Sequence, residues 1–147
     1  MAIELTAKRL AAFDAVLPAL SAFKRAFGRD VAPDFLAELY VAKEFKLQLS
    51  DRKNEPGADA TDEQGRRYQI KYRSPSTQNV DINNFDFDYI VLVNLGDDYG
   101  LAGLWRLTVE QVRAISSSRP DFGKFQITQA RFKSEAVRAL KVAAPSA

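Results

Sequence analysis

Residues 56–73, PGADATDEQGRRYQIKYR, decide how the rest of the chain is read. Side chains alternate between the faces of a strand, so Gln69, Lys71 and Arg73 share one face while Tyr68, Ile70 and Tyr72 share the other. One face is polar and the opposite one is built for a core. The turn ahead of this strand is Asp62-Glu63-Gln64-Gly65, and Asp59 stands before it, just after a Pro56-Gly57 turn. A three-residue loop of Glu63 to Gly65, with Gly65 in the left-handed region, puts Asp59 directly across from Gln69. A four-residue loop slips that register by one.

Upstream, Ala32-Pro33-Asp34 opens a helix that runs to about Phe45, with proline in its first turn and an acid against the positive end of the helix dipole. Glu38 has Phe35, Val41, Ala42 and Phe45 as helical neighbours, which points its carboxylate into the apolar face. Buried and ionised, it needs a cation, a metal or a strong donor; at the edge of the stripe it reaches solvent instead. Earlier still, Leu10, Phe13, Val16, Leu17, Leu20, Phe23 and Phe27 recur at helical spacing between Thr6 and Phe27. Pro18 predicts a kink there, or a second helix starting near Pro18 and ending at Gly28. The amphipathic pattern serves either to cover a sheet or to bind a partner.

Downstream of that second helix, Lys46 to Ser50 reads as a strand and Asp51 to Glu55 as a charged turn. Arg66, Arg67, Lys71 and Arg73 lie among tyrosines, a pattern that suits either a phosphate backbone or a solvated face. Ser74 to Asn84 reads as a loop or a loosely helical crossover offering substrate contacts, with Gln78 the candidate. Tyr89 to Leu95, YIVLVNL, reads as a strand buried on both faces. Asp86 and Asp88 at its entrance read as solvated turn chemistry, with a shared metal as the alternative. Asp97 to Gly100 is a turn, Leu101 to Leu107 a strand with Trp105 as a packing residue, and Thr108 with Gln111 a capping box. Ser116 to Asp121 reads as a loop, Phe125 to Phe132 as a strand, Ser134 to Leu140 as a helix and 142–147 as a frayed end. The order gives α/β or α+β with a mixed central sheet.

Composition narrows the chemistry. The 147 residues suit one domain, and 46% hydrophobic with 27% charged is ordinary globular usage. With no cysteine and no histidine, disulfides, thiolate and Ser-His-Asp catalysis and the usual zinc ligands are excluded. Any metal is hard and oxygen-ligated, Mg2+ or Mn2+ first. A net charge of +2 neither demands nor excludes nucleic acid. Without a signal peptide or a membrane-length apolar run, the chain reads as soluble and cytoplasmic.

Oxygen donors from Glu38, Asp59 and Gln69 suit a divalent ion completed by water, and Lys71 is placed to orient or deprotonate an attacking water. The order Glu38, Asp59, Gln69-Ile70-Lys71 resembles the PD-(D/E)xK nuclease superfamily, in which a helix glutamate, a hairpin aspartate and an acid-x-lysine strand make a magnesium site. Gln69 stands at the position of the second acid, as in branches with Gln-x-Lys. The resemblance spans 33–95 and implies a restriction-endonuclease-like fold, a mixed central β-sheet flanked by helices. It further implies a metal-dependent nuclease acting on DNA, in restriction or defence, with Glu38, Asp59, Gln69 and Lys71 catalytic and the first three on Mg2+ or Mn2+. Arg66, Arg67, Arg73 and Gln78 would contact nucleic acid. The expected organisation is a single domain over 1–147, with a helical segment at 1–31, the motif core at 33–95 and a frayed tail at 141–147. No separate sequence-reading domain is expected, so specificity would need an added domain, a partner or a homodimer or larger complex, which speaks for an inactive module. Two other readings stand beside this one: an inactive module that binds nucleic acid or a protein partner, and an interaction protein in which Glu38 and Lys71 form a buried ion pair.

Overall fold

The computed structural model describes residues 2–27, 33–50, 58–119 and 124–143. In chain order the elements are α1 (Ala7–Phe27), α2 (Pro33–Phe45), β1 (Gln48–Leu49), β2 (Ala60–Thr61), β3 (Arg67–Tyr72), β4 (Asn79–Ile82), β5 (Tyr89–Leu95), β6 (Leu101–Thr108), α3 (Val109–Ile115), β7 (Ser117–Arg119), β8 (Lys124–Thr128) and α4 (Gln129–Ala143). Among the described residues this is a mixed α+β fold. One sheet has five strands in the order β1-β2-β3-β5-β6, with β3 and β5 parallel and the other neighbours antiparallel. The second has three antiparallel strands in the order β4-β8-β7. No helix among the described residues is long and apolar enough to cross a membrane.

Strand β5 is apolar on both sides, so both sides are covered. Val91, Val93 and Leu95 join a core with Phe13 of α1, with Leu36, Ala37, Val41 and Ala42 of α2, and with Tyr68 and Ile70 of β3. Ile90 and Leu92 join another with Val80 and Ile82 of β4, Val112 of α3, Ile127 of β8 and Phe132 of α4. Each fully buried valine or leucine contributes about 1.5–3 kcal/mol. Trp105 packs beside the second core, and its ring occupies the space a Cβ on Gly103 would need.

The β2–β3 and β5–β6 hairpins share one loop geometry. Between β2 and β3 the Asp62 amide donates to the Arg66 carbonyl at 3.1 Å and the Gly65 amide to the Asp62 carbonyl at 3.0 Å, with Gly65 at φ 77°. Between β5 and β6 the Gly96 amide donates to the Gly100 carbonyl at 2.7 Å and the Tyr99 amide to the Gly96 carbonyl at 3.1 Å, with Tyr99 at φ 64°. The position that takes glycine in the first loop takes a buried tyrosine in the second. The first is the three-residue loop, and its register pairs Ala60 with Tyr68 and Thr61 with Arg67.

Several sequence expectations change. Helix α1 runs through Pro18 as one element, which removes the alternative of a second helix starting there; Phe13 before the proline and Leu17 and Leu20 beside it anchor both halves to the same core. The 74–84 stretch contains strand β4: Val80 and Ile82 alternate with Asn79 and Asp81, and the pairing with β8 supplies what local propensity lacks. Ser117–Arg119 forms β7 instead of loop. Strand β8 ends at Thr128, and Phe132 belongs to α4, where Gln129, Phe132 and Ala136 point inward at helical spacing. Residues 141–143 are helical. The expected turns at Asp51 to Glu55 and Pro56-Gly57, the helix end at Gly28 and the tail at 144–147 lie outside the described residues.

Nothing lies within 4 Å of a Cβ built on Gly65, so a substitution there tests backbone conformation alone. Gly65→Val is expected to lose about 1–2 kcal/mol in urea unfolding, and Gly65→Asn distinctly less.

Candidate active site

The β2–β3 ladder stops at Ala60 and Tyr68, and Asp59 takes over the edge of β3. Its amide donates to the Tyr68 carbonyl at 2.9 Å and its carbonyl accepts from the Ser50 amide at 2.8 Å, which fixes its backbone from both sides. Its Oδ2 accepts from the Ile70 amide at 2.7 Å, standing in for the main-chain carbonyl that a longer β2 would have offered. Oδ1 has no hydrogen bond among the described residues. Burial raises the Asp59 pKa above its ordinary value; the Ile70 amide and Lys71 work against this, and Asp34 of α2 adds to it.

Register places Gln69 one pair beyond Tyr68, opposite Asp59. Gln69 and Lys71 are both half-buried, and neither side chain has a hydrogen bond or ion pair among the described residues. Burial lowers the Lys71 pKa and Arg73 lowers it further; Asp59 and Asp81 pull it back up, and Lys124 pushes it down. An acid raised and a base lowered, each within the other's field, occupy the same end of β3.

Glu38 lies half-buried on α2, one residue past Ala37 and a turn before Val41 and Ala42, and is engaged in an interaction of its own. Asp34 sits one turn before it on the same helix, an i,i+4 pair along one edge, and is the α2 residue within electrostatic reach of Asp59. The charges on Lys71 come from Asp59 and Asp81 among the acids, so the Glu38–Lys71 pair expected of an interaction protein has no counterpart in that set.

The four basic residues divide between the ends of β3. Arg66 is exposed, ion-paired with Asp62 at 2.7 Å, and stacked 5.4 Å over the Tyr89 ring. The Arg67 backbone exchanges hydrogen bonds with Asp88, its amide donating to Oδ2 at 2.7 Å and its carbonyl accepting at 2.9 Å, while the side chain is exposed. Along the strand direction Arg67 stands about 13 Å from Lys71 and Arg66 about 17 Å. Arg73, at the Lys71 end, donates from Nε to the Asn79 carbonyl at 3.3 Å and from Nη1 to the Tyr72 carbonyl at 2.7 Å. Gln78 is exposed, and its carbonyl accepts from the Gln129 amide at 2.9 Å. Asp86 and Asp88 do turn work, with Asp86 donating its amide to Asn84 Oδ1 at 3.0 Å.

Four features escaped the sequence reading. Asp34 was visible as the acid one turn before Glu38. Asp81 and Lys124 reach Lys71 only because β4 pairs with β8, a contact without a local signal. The fourth is a buried clamp on the loop after β3. Asn94 Nδ2 donates to the Arg73 carbonyl at 2.7 Å and to Gln129 Oε1 at 2.9 Å, while Gln129 Nε2 donates to the carbonyls of Ser74, at 2.8 Å, and Thr77. Comparison of the chain with protein-family models and with curated proteins finds no match.

Because its carboxyl titrates above the ordinary value, Asp59 in the unfolded chain gives up its proton first, and stability falls as pH rises through that window. Asp59→Asn keeps an acceptor for the Ile70 amide and removes the desolvated charge. Thermal unfolding should show wild type and variant alike near pH 3 and the variant equal or more stable at pH 7, by up to about 1 kcal/mol. A less stable variant at pH 7 contradicts this account of the site.

Proposed function

We propose that this chain is a metal-dependent nuclease that hydrolyses phosphodiester bonds, in DNA first, at the edge of β3. The observation that carries the reading is that an Asp59 oxygen, the Gln69 amide and the Lys71 amine, on β3 and the backbone-clamped residue opposite it, have no hydrogen-bond partner among the described residues. The sequence of helix α2, meander β1-β2-β3, crossover and parallel return strand β5 supports a restriction-endonuclease-like reading of the fold.

The donor set fits a hard ion. Among the described residues no three acidic side chains lie together as a metal group, so an ion would be held by the Asp59 carboxylate and the Gln69 carbonyl oxygen with water completing its shell, and the expected Glu38 ligand has no contact in support of it. Mg2+ and Mn2+ are held this way, through one or two carboxylates with several waters retained. When bound, the ion supplies polarisation of the phosphoryl oxygen and a more acidic water. Asp59 orients from a fixed backbone, with Oδ2 committed to Ile70 and Oδ1 without a partner among the described residues. The Lys71 amine, shifted toward its neutral form by burial, takes the proton of the attacking water; in its charged form it offsets negative charge growing on the phosphate. Arg73 and Lys124 add positive charge around the same point.

The uncharged Gln69 favours a second reading, in which the same edge binds nucleic acid without cutting it, since an amide holds a cation less strongly than a carboxylate. One assay separates the two. Purified protein is incubated with supercoiled plasmid, single-stranded DNA and RNA in Mg2+, Mn2+ or EDTA. Cleavage should require the metal, and Lys71→Ala and Asp59→Ala should each reduce it at least about a hundredfold with the fold intact. Salt-sensitive binding with no cleavage in any metal would replace the first reading by the second.

A further inference from the structure

A cavity of about 310 Å3 opens at the Lys71 end of β3, on the opposite face of the strand. Its walls include Tyr72, Ser74 and Pro75 from the end of β3, Lys24 of α1, and Asp97 and Tyr99 from the β5–β6 loop. Two links tie it to the candidate active site. Tyr72 follows Lys71 directly on the strand, and Pro33, which also lines the cavity, precedes Asp34, the α2 residue within reach of Asp59.

The cavity is built at a cost. Tyr99 holds φ 64°, a conformation that disfavours a side chain by about 1–2 kcal/mol, although Gly100 is its neighbour and the twin loop meets the same need with Gly65. The strained backbone is pinned by the Tyr40 hydroxyl, which donates to the Tyr99 carbonyl at 2.8 Å, and the ring is buried with the Lys24 ammonium 5.7 Å from its centre. At the mouth, Lys24 and the fully exposed Asp97 form an ion pair at 3.8 Å, which a bound base would open by taking a bond from each partner. Aromatic and proline walls, a cationic donor and an anionic acceptor suit one small planar ring bearing both a carbonyl and an N–H, and the volume lies at the small end of ligand sites.

We propose that this cavity seats a single unstacked nucleobase of the strand whose phosphate lies against Lys71. The proposal rests on the nucleic-acid reading above and adds a substrate class to it. A base paired in a duplex cannot enter, so the preferred substrate is single-stranded or locally opened, with the base folded over the end of β3 as its phosphate stays at the edge. Lys24 donates to a base carbonyl and Asp97 accepts from a ring N–H, which favours keto bases such as thymine over adenine.

The test uses fluorescence anisotropy in EDTA, so that nothing is cut. Its probes are a thymine strand of about 12 nucleotides and an abasic strand with the same number of phosphates. Wild type should bind the thymine strand about tenfold more tightly. Ala102→Trp, which fills the cavity from an exposed position on β6, should abolish that difference and leave abasic binding unchanged. Tyr72→Ala provides an independent variant with the same expectation. Lys71→Ala should weaken both probes alike. Equal wild-type binding of the two strands, or a difference that survives both cavity variants, overturns the base pocket while leaving the phosphate site standing. Failure to bind either strand overturns the nucleic-acid reading and the pocket together.

Discussion

Strand β5 has no polar face, and that single constraint dictates the architecture. A strand that presents Val91 and Val93 to one side and Ile90 and Leu92 to the other must be covered twice. Helices α1 and α2 cover the first side. The second is covered by a separate three-stranded sheet together with α3 and α4, which is why the segment between β3 and β5 becomes a strand with two buried residues. The crossover that returns the chain parallel to β3 thereby brings Asp81 and, through β8, Lys124 to the neighbourhood of Lys71. Covering the core and furnishing the candidate site are the outcome of one chain path.

Where β2 ends, β3 loses a neighbour, and the candidate site occupies that gap. An edge with unpaired main-chain groups is unfavourable, and here a side-chain carboxylate closes it. Closing it draws Asp59 out of water, and the desolvation that raises its pKa also brings it within the field of Lys71. The loop beyond is held equally firmly. Asn94 and Gln129 bind the carbonyls of Arg73, Ser74 and Thr77 from below, so the polar residues at this end of β3 stand on an ordered backbone.

Local rules made part of this legible. The glycine of the first hairpin, alternation along 68–73, the continuous apolar run of β5 and the Thr108–Gln111 capping box each encode their structure within a few residues, and all four features are present. What stayed hidden depends on pairing between distant segments. Strand β4 is four residues long and β7 three, too short for propensity to speak, and both exist because β8 lies between them. The same holds for the site. The placement of Asp59 beside Gln69 follows from a turn, whereas the acids and bases around Lys71 follow from the second sheet, and the role of Tyr99 is concealed because a tyrosine in a glycine position gives no signal of its own.

Asp59 discharges its structural duty with one oxygen atom, and any side chain that offers an acceptor at that point discharges it equally. The proposed chemistry would use the charge; the sheet does not need it. An aspartate codon is one base change from an asparagine codon, so the charge can be lost or regained in one step while the acceptor that closes the edge of β3 is kept. The charge at this position and the closure of the sheet edge are thus separable properties of one side chain.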